Sequence, residues 1–134
     1  VSCIGAGDCW AVGSTGRSGS WAALAEQYTG GGWSVAAETA STVSSGWLSE
    51  LSAVTCAGSG VCWAVGAMES PPGYDGWTSI ETNTGGGWSA VTSSTPAEGA
   101  LLSGVACTST GQCWAVGYST PGSGGTEPLI ERET

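Results

Sequence analysis

Three times along this chain a cysteine is followed, after five intervening residues, by Cys-Trp-Ala-Val-Gly: at Cys3–Gly13, Cys56–Gly66 and Cys107–Gly117. The second cysteines, Cys9, Cys62 and Cys113, lie 53 and 51 residues apart. Other pieces keep the same spacing. Tyr-Thr-Gly-Gly-Gly-Trp-Ser at residues 28–34 returns as Asn-Thr-Gly-Gly-Gly-Trp-Ser at residues 83–89, and Leu24-Ala25-Glu26 matches Ser79-Ile80-Glu81 and Leu129-Ile130-Glu131. A period near fifty residues means one supersecondary unit per repeat, stable only against its neighbours. The 134 residues then form a single repeat domain with units 1–47, 48–98 and 99–134. The first unit lacks the start of its first strand and the third lacks its last, so the chain carries about 2.75 units.

Each unit reads as four short strands, at residues 51–56, 62–67, 77–82 and 88–92 in the second, with Gly-rich turns between the first pair and the last pair. The strand 62–67 is apolar on both faces, with Cys62, Ala64 and Gly66 on one and Trp63 and Val65 on the other. A half-exposed sheet alternates apolar and polar residues, whereas a sheet stacked between two neighbours does not. The reading is an all-β fold of repeated four-stranded sheets, a β-propeller type of architecture, with the three-unit β-trefoil as the alternative. Trp10, Trp63 and Trp114 are expected in the core.

Six cysteines in three equally spaced pairs point to an oxidising compartment, and hence to a secreted protein. Each pair spans the turn from first to second strand, where cross-strand disulfides Cys3–Cys9, Cys56–Cys62 and Cys107–Cys113 can form. Metal binding needs ligands that converge, usually with histidine, and the chain has none. No cofactor is expected. The chain opens on Val1 in strand-like sequence, which reads as a mature or excised piece.

The formal charge is −9, with eleven carboxylates against Arg17 and Arg132. Such a surface repels nucleic acids and anionic membranes, and no stretch is long enough for membrane insertion.

Leu51-x-x-Val54-x-Cys56, then Trp63-Ala64-Val65-Gly66, Ile80 and Gly85-Gly86-Gly87-Trp88-Ser89 together resemble one blade of the photosystem II stability/assembly-factor-like propellers, which belong with the Asp-box (BNR, sialidase-type) repeats. The resemblance covers nearly the whole chain and implies a propeller fold. Two departures stand out. Cys56 and Cys62 replace residues that are apolar or Gly in the family, and Thr29 and Thr84 stand where the Asp-box acid precedes the glycines. The first implies an extracellular, disulfide-stapled branch; the second removes the carboxylate that pins the family's hairpin turn.

Repeated turns read as structure, and the variable loops at the other end of each sheet as the place for binding. Those loops offer Trp47, Trp21, Trp77, Tyr74, Tyr118 and Asp75, a set suited to stacking on and hydrogen-bonding a glycan. Trp21 and Trp77 also begin third strands, where they would pack between sheets. Leu129, Ile130, Glu131 and Arg132 would form an unpaired edge strand open to assembly. Catalysis is not expected: there is no His or Lys, the two arginines cannot form a sialidase-type cluster, and no poised carboxylate pair is evident. The expected partners are other copies of the chain, in an oligomer or filament, or the remainder of a longer chain. The function read from the sequence is a non-catalytic extracellular structural or interaction module. A carbohydrate-binding module is the alternative, and a glycosidase fragment the remote one.

Overall fold

The computed structural model describes residues 1–17, 20–39, 48–57, 60–70, 76–93, 99–122 and 124–133. Among these residues the chain is all-β, with no helix and so none long and apolar enough to cross a membrane. The strands are β1 (Ser2–Gly5), β2 (Asp8–Arg17), β3 (Ser20–Tyr28), β4 (Trp33–Thr39), β5 (Leu48–Cys56), β6 (Cys62–Glu69), β7 (Gly76–Asn83), β8 (Trp88–Val91), β9 (Ala100–Cys107), β10 (Cys113–Ser119) and β11 (Glu127–Glu133). They follow the sequence period but run longer than the apolar runs alone suggest. β5 starts at Leu48 and β6 continues to Glu69, because Leu48 and Glu69 still pair across the ladder.

Consecutive strands pair antiparallel in three meanders, β1 to β4, β5 to β8 and β9 to β11. One parallel bridge, Trp21 to Leu48, joins the first two into an eight-stranded mixed sheet, and the third meander is a separate three-stranded sheet. All three disulfides, Cys3–Cys9, Cys56–Cys62 and Cys107–Cys113, close the hairpin that opens a meander. In each the two cysteines face one another across the strand pair.

The turns explain two recurring sequence features. Gly85 and Gly87 sit at φ 94° and 112°, in the left-handed region that glycine occupies without steric cost. In the Asn83 turn the Gly85 N–H donates to Asn83 Oδ1 at 2.8 Å. A side-chain amide thus pins the turn. The glycine that ends Trp-Ala-Val-Gly has a different cause. The facing strand carries a β-bulge opposite Gly66, between Leu51 and Ala53, and another at Gly117. A Cβ on Gly66 would run into the Glu50 carbonyl and lie 2.8 Å from Leu51 Cα, and one on Gly117 would meet the Leu101 carbonyl.

The meanders stack face to face. Residues opposite one another in an antiparallel ladder share a face. In β6 and β7, Cys62, Ala64 and Glu81 are therefore on one face, and Trp63, Val65 and Ile80 on the other. The first face packs on Trp10, Ala23 and Ala25 of the first meander. The second packs on Leu102, Cys113 and Ala115 of the third. Both seams obey one rule: the Trp-Val face of a meander meets the Cys-Ala face of the next. β6, in the middle, is buried on both sides from Cys62 to Ala67, as its two apolar faces predict.

β10 carries the same Cys-Trp-Ala-Val-Gly run, yet its burial alternates. Cys113 and Ala115 are buried, while Trp114 is 37% and Val116 45% exposed. The expectation that Trp114 belongs to the core with Trp10 and Trp63 is therefore corrected. Trp10 and Trp63 are 7% and 9% exposed because another meander covers them, and among the described residues none covers Trp114.

Candidate functional site

The uncovered face of the third meander is built by β10 and β11. Their register places Trp114 opposite Arg132, Val116 opposite Ile130 and Tyr118 opposite Pro128. Ile130 is 66% exposed and Tyr118 is also solvent-facing. Each of these apolar positions corresponds to one buried in the second meander: Trp114 to Trp63, Val116 to Val65 and Ile130 to Ile80. β11 pairs only with β10 among the described residues, so its outer edge is open. Along it Ile130 and Arg132 are exposed, Leu129 is half-buried and Glu131 is fully buried.

The three repeated glutamates share one place in the fold. Glu26 lies opposite Ala11, Glu81 opposite Ala64 and Glu131 opposite Ala115. Glu81 and Glu131 are buried, and Glu26 is only half-buried. Ser93, just after β8, donates to Glu131 Oε2 at 2.8 Å, a bond that ties the second meander to the third. A buried carboxylate is costly without such donors, and Glu81 and Glu131 lie in the seams rather than in solvent. Glu133, nearby, is held above its ordinary carboxylate range by burial and then by the negative charge of Glu131.

Of the loop-end candidates, Trp21, Trp77 and Tyr118 lie among the described residues. Trp21 is 52% exposed, with its indole lying over Gly16 and contacting the space a side chain there would occupy. It lines a cavity of about 200 Å³ with Leu48, Ser49, Glu50, Ala67 and Glu69. Ser49 is fully buried and its hydroxyl has no hydrogen-bond partner among the described residues. Trp77, half-buried at the start of β7, pairs with Met68 and does not line this cavity. Tyr118 is on the uncovered face of the third meander. Trp47, Tyr74 and Asp75 lie outside the described residues. Sequence reasoning missed Ser49 and Glu50 as companions of Trp21. Their only signal was the pairing of Leu48 with Glu69, which requires the strand ends to be known.

A second, open groove at the disulfide end is lined by Asp8, Trp10, Gln27 and Asn83 among others, with Gln27 Nε2 donating to Asp8 Oδ1 at 3.1 Å. Among the described residues no three His, Cys, Asp or Glu side chains cluster as metal ligands would. No protein-family model, no curated protein and no solved structure matches the chain.

Proposed function

We propose that the chain is a run of β-propeller-type blades serving as a non-catalytic, extracellular structural and interaction module, which completes a ring or filament by self-association or with further chain. One observation carries the reading: the apolar face of Trp114, Val116, Tyr118 and Ile130 is open to solvent where its counterparts in the other meanders are covered. A contiguous exposed apolar face on a soluble domain marks an interaction surface. Serial face-to-face stacking of antiparallel meanders supports blades over a trefoil. Three disulfides fit an oxidising, extracellular setting. The mass of the folded chain in solution tests the proposal. Species heavier than the 13.2 kDa monomer are expected, and a chain that stays monomeric at every concentration defeats self-association.

A second reading, a carbohydrate-binding module, has its own observation in the half-exposed Trp21 indole beside the Glu50 and Glu69 carboxylates. An aromatic face with adjacent acceptors is how sugar rings are held. A glycan array probed with the wild type and with Trp21→Ala decides it: binding that survives the substitution, or no binding at all, removes this reading.

A further inference from the structure

Resting on the assembly reading above, we infer which surface covers the Trp114 face: the Cys9-Ala11-Glu26 face of the first meander of a second copy. Both internal seams bring a Trp-Val face onto a Cys-Ala-Glu face. Among the described residues one further surface of each kind is exposed. The third meander presents Trp114, Val116 and Ile130. The first presents Cys9, Ala11 and Gly13 with Glu26 alongside, all only half-buried, whereas the matching Cys62, Ala64, Gly66 and Glu81 are buried.

The first seam supplies a template. There Trp10 meets Trp88 edge-on, ring centroids 5.3 Å apart. The position of Trp88 in the first meander is held by Trp33, which is 48% exposed and leans on Tyr28. In the inferred contact Trp114 of one copy meets Trp33 of the next as Trp10 meets Trp88. Val116 and Ile130 cover Ala11, and Glu26 becomes buried as Glu81 and Glu131 are. Arg132, opposite Trp114 on the covering face, faces the approaching carboxylate with opposite charge. The contact joins two different surfaces, so it is heterologous: it gives a closed ring if the rotation per copy permits and a filament if not.

Two substitutions on outward faces test this, each checked for folding by circular dichroism. Ala11→Glu spoils one face and Val116→Glu the other. Each alone should stay at the 13.2 kDa monomer mass in sedimentation experiments. Mixed, they should form a one-to-one pair of twice that mass and nothing larger, because the mixture holds one intact face of each kind. Trp33→Ala and Trp114→Ala provide a second pair of variants should an introduced carboxylate unfold the chain. If Ala11→Glu still self-associates like wild type, the Trp114 faces pair with each other; the inference is then overturned while the assembly reading stands. A wild type that never associates overturns both.

Discussion

Replacing Gly66 by alanine should unfold this protein far more readily than the same change at Gly13, although both glycines end the same Trp-Ala-Val-Gly run. At Gly66 the added Cβ collides with the Glu50 carbonyl and sits 2.8 Å from Leu51 Cα. The neighbour is backbone, held in the ladder by its pairing to β6, so it cannot swing aside as a side chain would. To reach ordinary carbon contact the bulge must retreat by about 0.6 Å at Leu51 Cα alone, and further at the carbonyl. Leu51 belongs to the first seam, so the displacement carries into the core. Overpacking of this kind costs about 1–3 kcal/mol, and a collision with backbone belongs at the upper end. At Gly13 no heavy atom lies within 4 Å of the added Cβ, and its φ is not positive. There alanine restricts the unfolded chain and stabilises by about 0.4–1 kcal/mol. Urea unfolding followed by tryptophan fluorescence, with disulfides intact, should place the two midpoints on opposite sides of wild type. A Gly66→Ala midpoint equal to or above that of Gly13→Ala would refute the bulge as the reason for the glycine.

Limited reduction followed by alkylation and mass spectrometry should open Cys3–Cys9 first, since Cys3 is exposed while Cys62 and Cys113 are buried in the seams. Replacing both Cys56 and Cys62 by serine should lower stability by about 2 kcal/mol through the short loop alone, measured as a shifted urea midpoint. Ser93→Ala removes the donor to Glu131 Oε2 and should cost about 1.5–3 kcal/mol in the same assay, because the acceptor is a buried carboxylate. The raised Glu133 value gives a pH dependence of definite sign. The folded chain holds the proton more tightly than the unfolded one, so this contribution is full below the ordinary value and is lost as pH rises through the folded value. Glu133→Gln should therefore flatten the fall in melting temperature above about pH 4.5, and an unchanged slope would count against it.

Much of the fold is legible in the sequence because the repeat fixes it. The cysteine spacing gives the disulfides, and the two apolar faces of residues 62–67 give a strand buried on both sides. What the pattern does not carry is whether a neighbour is present. Trp63 and Trp114 have the same local sequence, and only the stacking order makes one core and the other surface. The burial of the repeated glutamates was hidden for a related reason: Glu81 and Glu131 lie inside seams that exist only after meanders stack. The reason for Gly66 was hidden because a bulge lies on the partner strand, 15 residues earlier in sequence at Leu51. The Trp21 cavity depends on strand ends meeting through a single parallel bridge, which no local periodicity encodes.

The rule that governs the two seams has a consequence for cooperativity. In an open row of identical contacts there is always one contact fewer than there are units, so three meanders share two. Each end unit then has half the support of the middle one and opens first, from either end inward. Closing the row adds a contact without adding chain, and it removes the distinction between end and middle. Closing the row would therefore add protection to β10 and β11, and hydrogen exchange in those strands would read directly whether the row is open or shut.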